Sequence, residues 1–435
     1  MAQAKSGVLH FAFGGVVFMY AHIASAQYTF TSLGQYGPST ATRAFAVTET
    51  GLVAGIAGST VFRWTPAGFV TVAGASSVRD MSADGSVMVG PAGRWSALTG
   101  AWQPLLAATC IDMCPPNGCT WCGEVRAVNA VSPDGLLIVG EADNTPIAGE
   151  GRPAYWYTWS SNALLFPTGC TDSYYNSVRR FTATCVSPDA RYVGGSDYGL
   201  HITIGCGGGR VWDNQTGTVA SPAGFAGEFG VVNGISADGQ VFAGVGSIGV
   251  PLFGPYGAVA RRVTRAGVEE IIAGDNPPTG AYVPVVTGMS ADASRIVGYR
   301  KAGSNEYSAW IWLQGRGTTD LRQFLIARGV NMTGWTLNSV RDISRNGRFL
   351  CGDGIAPDGR TTAWLIELPD DARCDSIDFN ANSVYPEDQD VIDFFHVLAG
   401  GTCPTCNDID FNNNGVFPED QDVIDFFNVL AGGAC

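Results

Sequence analysis

The chain has 435 residues, with 25 Lys or Arg against 39 Asp or Glu, which gives a formal net charge of −14. Residues 370–435 contain 14 acidic residues and one arginine, so this tail holds nearly all of the excess negative charge. The rest of the chain is close to neutral and has no basic stripe, which argues against a nucleic-acid partner. The length allows one large repeat domain and a small second domain.

The N-terminus has the pattern of a secretory signal peptide. Lys5 provides a positive start, residues 8–23 are mostly apolar, and Ala24-Ser25-Ala26 is an A-x-A cleavage site. We therefore expect residues 1–26 to be removed, with a membrane anchor as the alternative. No later segment of the sequence reaches spanning length, so the mature protein is predicted to be secreted, extracellular or at the cell surface, without membrane insertion.

A short motif, S-x-[DN]-[GA]-x4-G, recurs through the middle of the chain. In every full copy the serine and the last glycine are eight residues apart. The six full copies begin at Ser82, Ser132, Ser187, Ser236, Ser290 and Ser344. A degenerate copy runs from Thr48 to Gly55 and is one residue shorter. Self-similarity at a period of about 50 residues indicates a repeat architecture.

Each unit is predicted to form four short strands. Apolar runs flank the D-G or N-G dipeptide, which is a strong hairpin signal because glycine adopts positive φ without strain. A strand containing tryptophan follows in most units, as at Trp64 and Trp364, whereas the fifth of the seven units has Arg261-Arg262 there. A fourth short strand usually completes the unit. Seven such units predict a mainly β fold, a seven-bladed β-propeller over residues 27–369.

The two ends of the repeat region complement each other. The seventh unit ends at Leu368 without a fourth strand, and the mature N-terminus, from Tyr28 to Leu33, looks like a fourth strand without a unit. Adding this strand to the last blade would close the ring and remove an open sheet edge. A β-solenoid or an array of β-sandwiches is the alternative, but either would leave the N-terminal strand unexplained.

The V-x-x-[VIM]-S-x-D-G-x4-G pattern, followed by a tryptophan strand in an exported chain, resembles the extracellular HAF-type repeat proteins. The resemblance covers residues 28–368 and implies a fold, without implying any catalytic residue. The recurring aspartates are expected to bond the backbone of their turns. The tryptophans are expected to pack the blades, with a sugar-stacking surface as the alternative.

Twelve cysteines in an exported chain favour disulfides over reactive thiols. Four of them lie close together in a Pro- and Gly-rich loop, at Cys110, Cys114, Cys119 and Cys122. We expect these to form two disulfides, with zinc binding as the alternative, and the sequence does not choose among the three pairings. Cys170 and Cys206 lie near Gly-rich turns, whereas Cys185 and Cys351 lie in strand-like runs and could be buried thiols.

The tail contains one unit written twice, 32 residues apart, and each copy begins like an EF-type calcium loop. The D-x-[DN]-x-[DN]-G opening places oxygens at alternate positions, where they can wrap a hard cation. The candidate ligands of the second copy are Asp410, Asn412, Asn414, the Val416 carbonyl, Asp420 and Asp422. Those of the first copy are Asp378, Asn380, Asn382, the Val384 carbonyl, Asp388 and Asp390. We therefore predict two bound Ca²⁺ ions.

The two loops depart from the EF pattern in different ways. In the second copy Gln421 occupies the twelfth position, where an acidic ligand is expected, so the loop is predicted to be one residue longer and to close on Asp422. The first copy has Ser383 where the sharp turn favours glycine. We therefore expect the first copy to bind Ca²⁺ more weakly than the second.

An amphipathic helix is predicted after each loop. Apolar residues fall at i, i+3, i+4 and i+7, at Val391, Phe394, Phe395 and Leu398, and the pattern recurs in the second copy. Asp390 and Asp422 fall near the helix N-termini, where negative charge is favoured. Disulfides Cys374–Cys403 and Cys406–Cys435 could join each loop to the end of its helix, and Cys403–Cys406 is the competing pair.

The paired loop–helix units resemble dockerin domains, in particular the Cys-flanked dockerin-like tails of secreted planctomycete proteins. The resemblance covers residues 374–435, within a predicted tail domain of residues 370–435. It implies calcium binding and attachment to a cohesin-like or other cell-surface protein. The repeat of 32 residues is longer than the usual dockerin unit. The alternative is a pair of solvated acidic loops without metal.

These features predict a secreted, non-catalytic binding or display propeller with a glycan or protein ligand, held to its partner by the tail. Only His201 and His396 follow the signal segment, which leaves little for a multi-histidine site or a His-dependent triad. The alternative is a polysaccharide-degrading enzyme of the O-glycosyl hydrolase type, which needs only two carboxylates at a fixed separation. Its candidate residues are Glu124, Glu141, Glu228 and Glu306.

Overall fold

The computed structural model describes most of the chain after residue 27. The described residues are 28–105, 111–112, 120–145, 154–158, 161–165, 180–198, 208–225, 230–248, 257–273, 282–302, 306–314, 316–369, 374–382, 384–409, 411, 418 and 420–431. The predicted signal peptide, residues 1–26, lies outside them. Cys110, Cys114, Cys119, Cys170 and Cys206 also lie outside them, so the pairing of these cysteines stays a prediction.

The strands form seven antiparallel sheets, numbered in chain order. The first strand, β1 (Thr29–Gly34), belongs to the last sheet. Sheet 1 contains β2 (Thr42–Val47), β3 (Val53–Ala57), β4 (Thr60–Thr65) and β5 (Gly68–Val72). Sheet 2 contains β6 (Asp80–Met81), β7 (Val87–Gly90), β8 (Gly93–Ser96) and β9 (Ala101–Gln103). Sheet 3 contains β10 (Ile111–Asp112), β11 (Thr120–Val131), β12 (Leu137–Thr145), β13 (Ala154–Thr158) and β14 (Ser161–Leu165).

The remaining four sheets follow the same order. Sheet 4 contains β15 (Arg180–Val186), β16 (Tyr192–Tyr198), β17 (Gly208–Asp213) and β18 (Thr218–Ala220). Sheet 5 contains β19 (Val231–Ile235), β20 (Val241–Ile248), β21 (Gly257–Thr264) and β22 (Glu269–Ala273). Sheet 6 contains β23 (Tyr282–Met289), β24 (Arg295–Ala302), β25 (Glu306–Leu313) and β26 (Gly317–Asp320). Sheet 7 contains β27 (Thr336–Ile343), β28 (Phe349–Ile355), β29 (Thr361–Glu367) and β1.

The sheets stand in a closed ring, which confirms the mainly β propeller fold. The innermost strands of the sheets are β2, β6, β11, β15, β19, β23 and β27. Each contacts the next one in this order, and β27 contacts β2. Among the described residues, one hydrophobic cluster lies at each junction between neighbouring sheets. The core is therefore a ring of sheet-to-sheet contacts, as a propeller requires.

The predicted count of seven equal four-stranded blades is wrong. Six sheets have four strands, whereas sheet 3 has five. The reason is the length of β11, which has 12 residues and extends beyond its pairing with β12. The extra residues pair with β10, where Ile111 lies opposite Trp121.

The serine and aspartate of the motif fix the hairpin turn, as predicted. The Ser82 hydroxyl donates to the Asp84 carboxylate at 2.7 Å and accepts the backbone N–H of Val87 at 3.0 Å. Asp84 also accepts the backbone N–H of Ser86 at 2.8 Å. The other five full copies repeat these bonds, with Asn346 as the acceptor in the last one. Both side chains are therefore occupied by turn structure.

The last glycine of the motif has a steric cause that the sequence does not reveal. In six sheets the pairing of the innermost strand with the following strand is shifted by a β-bulge shortly before the motif turn. The displaced carbonyl lies against the glycine, and a Cβ at Gly352 would be 1.9 Å from the Ser339 oxygen. The same close approach occurs at Gly55, Gly90, Gly140, Gly195, Gly244 and Gly298. Only glycine fits there.

The motif tryptophans pack the ring. Trp95, Trp310, Trp312 and Trp364 are buried, which confirms their predicted role in packing. The ring of Trp364 covers Gly352, since a Cβ there would lie 2.5 Å from it. In the unit that has arginines instead, the Arg262 guanidinium lies 5.4 Å from the centroid of Trp312 in the next sheet.

The N-terminal strand closes the ring, as predicted. β1 pairs antiparallel with β29, with Thr29 opposite Glu367 and Ser32 opposite Trp364. The Phe30 ring packs edge-on against Trp335 with centroids 4.9 Å apart. Without β1, the edge of β29 would present unpaired backbone groups.

A helix that the sequence pattern does not indicate lies between β26 and β27. α1 (Leu321–Ile326) begins after Asp320, whose carboxylate accepts the backbone N–H of Gln323. Its buried residues Leu321, Phe324 and Leu325 join the cluster between sheets 6 and 7. The helix is too short for a periodic apolar pattern to be recognised.

The tail contains two helices at the predicted places, α2 (Asp388–Leu398) and α3 (Asp420–Leu430). Its core consists of four fully buried rings, those of Phe379, Phe394, Phe411 and Phe426. Phe394 and Phe426 stack with centroids 4.2 Å apart, and each packs edge-on against the phenylalanine of its own loop at 5.2 Å. The two copies therefore pack as a pseudo-symmetric pair around one core.

The disulfides of the tail correct the first prediction. Cys403 and Cys406 bond to each other, so the pairs Cys374–Cys403 and Cys406–Cys435 are wrong and the competing pair is present. The reason is a tight turn, in which the Cys406 N–H donates to the Cys403 carbonyl at 3.3 Å. Cys374 is disulfide-bonded as well, and Cys435 lies outside the described residues.

Two cysteines of the propeller are buried free thiols, as the sequence suggested. Burial raises the pKa of Cys185 to about 12 and that of Cys351 well above its ordinary value. Such thiols stay protonated and are poor nucleophiles. Among the described helices, none has both the length and the apolar character needed to span a membrane.

Candidate functional site

A cavity lies on the axis of the ring. It is lined by the innermost strand of each of the seven sheets and by residues next to these strands. Its volume is about 140 Å³. An engineered apolar cavity of about 150 Å³ holds one benzene molecule. The axial cavity therefore suits a small molecule, or one group of a larger molecule.

One repeat position supplies most of the polar lining. It lies three residues before the motif serine and is occupied by Phe45, Arg79, Asn129, Thr184, Asn233, Thr287 and Arg341. In three sheets this side chain bonds to the next sheet of the ring. Asn129 donates to the Ala183 carbonyl at 2.8 Å, and Thr287 donates to the Val340 carbonyl at 3.0 Å. Thr184 donates in the same way to Val232.

In sheets 2 and 7 the bond to the next sheet comes from the following position. Asp80 accepts the backbone N–H groups of Val131 at 2.8 Å and Met81 at 2.7 Å. Asp342 accepts those of Val47 and Ile343, both at 2.8 Å. These carboxylates join sheet 2 to sheet 3 and sheet 7 to sheet 1.

Arg345 extends across the cavity from the turn after β27. Its guanidinium donates to the carbonyls of Val131 in sheet 3 at 3.3 Å and Val186 in sheet 4 at 3.4 Å. Burial raises the pKa of the Asp80 and Asp342 carboxyls, and the nearby positive charge of Arg345 opposes part of that rise. Arg345 therefore crosses the cavity from sheet 7 to sheets 3 and 4.

Burial outweighs the effect of this arginine. Desolvation, followed by the neighbouring charge of Asp80, raises the pKa of Asp342 to about 8. Desolvation also raises the pKa of Asp80. Both carboxyls are partly exposed and line the cavity.

The turns at one end of the cavity bond to one another. The Glu49 carboxylate accepts the backbone N–H groups of Arg345 at 2.9 Å and Asn346 at 3.0 Å, which joins the first sheet to the last. Backbone hydrogen bonds also join the turns of neighbouring sheets, such as the bond from the Ala83 N–H to the Pro133 carbonyl at 3.0 Å. Pro133 has no N–H, so it cannot donate such a bond to the turn of the next sheet.

The four glutamates proposed for a hydrolase are absent from the described lining of the cavity. Glu124 and Glu141 belong to β11 and β12 of sheet 3, and Glu306 belongs to β25 of sheet 6. Glu228 lies outside the described residues. The carboxylates that do line the cavity are Glu49, Asp80 and Asp342, and each accepts backbone N–H groups.

The first predicted calcium loop brings its oxygens together. The side-chain oxygens of Asp378 and Asn380 accept the same N–H, that of Asn382, at 3.0 and 3.1 Å. The Asn382 side-chain oxygen accepts the Val384 N–H at 2.7 Å. Asp390 is fully buried beside the loop and accepts the Phe379 N–H at 2.9 Å.

This donor set fits Ca²⁺, which takes carboxylate, amide and backbone oxygens in flexible geometry. Asp388 is exposed at the first residue of α2. Within the described part of the chain, no three His, Cys, Asp or Glu side chains form a metal-binding group. A site here would therefore rely on the amide oxygens of Asn380 and Asn382 as well as on carboxylates.

Most of the second calcium loop cannot be placed. Asp410, Asn412, Asn414 and Val416 lie outside the described residues, so their predicted role stays a prediction. Asp420 is exposed at the start of α3. Asp422 is fully buried, as Asp390 is in the first copy.

Two acidic residues beside the first loop were missed by the sequence reasoning. The Asn382 amide donates to Glu387 at 2.5 Å, and the Asn380 amide donates to Asp393 at 3.0 Å. The available signal was the recurrence of both acids in the second copy, as Glu419 and Asp425. Glu387 and Asp393 accept hydrogen bonds from the amide nitrogens of Asn382 and Asn380, so the amide oxygens of these two side chains point away from the acids.

The tail helices also carry an apolar patch, which corrects the predicted packing of two phenylalanines. Phe395 and Phe427 belong to the predicted apolar faces of the two helices, but they are 42% and 41% exposed, with ring centroids 6.0 Å apart. The four inner phenylalanines already fill the core, so these two remain outside. Ile392 and Ile424, 58% and 47% exposed, lie on the same helices.

No protein-family model and no curated protein matches this chain. Among solved structures, the β-propeller domain of Cps50 (Swd1) from Myceliophteria thermophila is 12% identical, with a TM-score of 0.45 over 77% of this chain and 99% of that one. A chain of the mitotic checkpoint complex is 13% identical, with a TM-score of 0.42 over 84% and 100%. A chain of Kuenenia stuttgartiensis hydrazine synthase is 10% identical, with a TM-score of 0.40 over 73% and 94%. Because these identities and TM-scores are low, the propeller fold is assigned from the sheets of this chain and not from these likenesses.

Proposed function

We propose that the protein is a secreted, non-catalytic binding propeller that is held to a cell-surface or cohesin-like partner by a calcium-ordered tail. The observation that carries the binding role is the axial cavity, with its volume of about 140 Å³ and Arg345 crossing it. Ligand pockets for molecules of drug size hold roughly 300–1,000 Å³. This cavity is smaller, so it suits a short or protruding group and not a polymer threaded through the ring.

A hydrolytic role has less support from the same cavity. A glycosidase needs one carboxyl that can donate a proton to the leaving oxygen and a second one free to attack or to activate water. The oxygens of Asp80 and Asp342 instead accept backbone N–H groups that join neighbouring sheets. Moving either carboxylate toward a substrate would break these bonds, so both are better suited to holding the ring.

The attachment role rests on the two copies of the tail. The loop that precedes α2 carries the side-chain oxygens of Asp378, Asn380 and Asn382, and Asp390 is buried beside this loop. Calcium bound there would neutralise acidic side chains that repel one another. The exposed patch of Phe395, Phe427 and their neighbouring isoleucines offers an apolar surface to a partner protein.

The calcium proposal is tested by calorimetric titration of the full chain with CaCl₂ after treatment with EDTA. Asp378→Asn is expected to weaken binding at the first loop at least tenfold, because it removes one of the few carboxylates there. Asp358→Asn is the matched control, since Asp358 is an exposed aspartate on a propeller turn. A chain that takes up no Ca²⁺, or an Asp358→Asn variant as impaired as Asp378→Asn, would contradict the proposal.

The binding role is tested with a glycan array and a reducing-sugar assay on the same polysaccharides. Binding without release of reducing ends is the expected result. Release of reducing ends that is lost in an Asp80→Asn or Asp342→Asn variant of unchanged melting temperature would instead assign the cavity to a hydrolase.

A further inference from the structure

The axial cavity contains two arginines whose side chains make no hydrogen bond to a neighbouring sheet within the described residues. Arg79 and Arg341 occupy the same repeat position in sheets 2 and 7, on either side of Phe45 in sheet 1. In sheets 3, 4 and 6 that position bonds to the next sheet through Asn129, Thr184 and Thr287. In sheets 2 and 7 the aspartate at the next position makes this bond, which frees the arginine position.

The two guanidinium groups differ in how firmly they are held. Arg341 donates from Nε to the buried carboxylate of Asp353 at 3.1 Å. Its guanidinium carbon lies 5.6 Å from the Phe45 centroid and 5.4 Å from the Tyr299 centroid. These contacts fix the plane of the group, while its terminal nitrogens make no hydrogen bond within the described part of the chain.

Arg79 faces the same cavity from the other side of Phe45. It is exposed, and no described residue bonds to its guanidinium. A guanidinium presents parallel N–H donors that match the two oxygens of a carboxylate. An exposed arginine and a fixed one, in the two sheets that flank Phe45 and lining the same cavity, suit a planar anion.

We propose that the axial cavity binds the carboxylate group of a small polar molecule, such as a uronic acid, between Arg79 and Arg341. This inference rests on the proposed binding function and assigns it a ligand class. The cavity volume of about 140 Å³ admits a carboxylate with a few attached atoms. The ligand is then either a free small organic acid or an acidic sugar of a glycan, since both present the same group.

The charges around the cavity favour a single negative charge on the ligand. Its charged lining consists of Glu49, Asp80 and Asp342 against Arg79, Arg341 and Arg345. Because burial raises the pKa of Asp342 to about 8, this carboxyl is mostly neutral at pH 7, and the lining then carries a net positive charge. The carboxyl groups of Glu49 and Asp80 also line the cavity, so a doubly charged phosphate meets more repulsion there than a carboxylate does.

The test is calorimetric titration of the full chain at constant ionic strength with sodium glucuronate, sodium acetate, glucose and inorganic phosphate. The variants are Arg79→Gln and Arg341→Gln, with Arg360→Gln as a matched control at an exposed arginine of a propeller turn. Glucuronate is expected to bind the wild type and the control with the same affinity and to bind Arg79→Gln at least tenfold more weakly. Its affinity for the wild type is expected to exceed the affinities of glucose and phosphate. The affinity of acetate identifies the source of the carboxylate. Acetate that binds as tightly as glucuronate indicates a free organic acid, and acetate that binds more weakly indicates an acidic sugar.

Three results would overturn the inference: no glucuronate binding at millimolar concentration, glucose or phosphate binding as tightly as glucuronate, or unchanged affinity in Arg79→Gln. Arg79→Gln is the decisive variant because Arg79 is exposed and its loss leaves the ring contacts intact, whereas Arg341→Gln also removes the partner of Asp353. A neutral glycan or protein ligand that binds wild type and Arg79→Gln equally would leave the binding function standing and overturn only the carboxylate site.

Discussion

The motif glycine of the last sheet offers a sharp test of the bulge geometry. In a Gly352→Ala variant the new Cβ would lie 1.9 Å from the Ser339 oxygen and 2.5 Å from the Trp364 ring. Neither neighbour is the free end of a flexible side chain, so β28 has to move away from β27. Overpacking costs about 1–3 kcal/mol, and a weakened ladder hydrogen bond costs about 1 kcal/mol. We therefore expect a loss of about 2–4 kcal/mol.

The matched control is Gly359→Ala, at a turn glycine with φ of 79° and no atom within 4 Å of the place that the new methyl group would take. It costs only the left-handed backbone of a non-glycine residue, about 1 kcal/mol. With an unfolding entropy of roughly 2 cal/mol/K per residue over ~340 residues, Gly352→Ala should lower Tm by roughly 3–6 °C and the control by less than about 2 °C. Scanning calorimetry measures both. A drop for Gly352→Ala no larger than that of the control would refute the steric explanation.

Deleting Tyr28–Leu33 should expose the edge of β29 and cause concentration-dependent aggregation in light scattering, and a monodisperse deletion variant would contradict ring closure. Because the pKa of folded Asp342, about 8, lies above the ordinary value of 3.8, the stability from its bound proton is complete below about pH 4 and is lost as pH rises through 8. Urea unfolding between pH 5 and 8 should show a flatter pH dependence in Asp342→Asn, and equal slopes would count against this assignment. Ala190→Gly should raise stability by up to about 1 kcal/mol, since Ala190 has a φ of 58°, and a lowered urea midpoint would disprove that strain.

The repeat unit was predictable because its signals are local. The D-G and N-G turns, the tryptophan strand and the orphan segment from Tyr28 to Leu33 each specify a strand or a turn within a few residues. Their assembly into a ring follows because every sheet must cover its faces and edges. The extra strand β10 and helix α1 were not predictable in this way, since both depend on how a particular loop meets its neighbours.

The axial cavity lay beyond the sequence reasoning for a physical reason. Most of its polar lining comes from one repeat position, and the residue at that position differs from unit to unit. In the sequence, Arg341 and Asp342 are ordinary consecutive strand residues. The structure adds a β-bulge beside them, and there Asp342 accepts a hydrogen bond from the next sheet and Arg341 lines the cavity. The tail disulfide was similarly hidden, because the turn that joins Cys403 to Cys406 forms between two copies that pack against each other.

The most direct test of the central claim is hydrogen–deuterium exchange of the full chain in calcium and in EDTA. A ring that folds through its own sheet contacts and a tail ordered by Ca²⁺ should respond differently. Calcium is expected to slow exchange strongly in α2, α3 and the loop from Asp378 to Asn382, while exchange in β1–β29 stays the same. Equal protection of the tail with and without calcium, or a loss of protection throughout the ring in EDTA, would contradict the proposed division of roles.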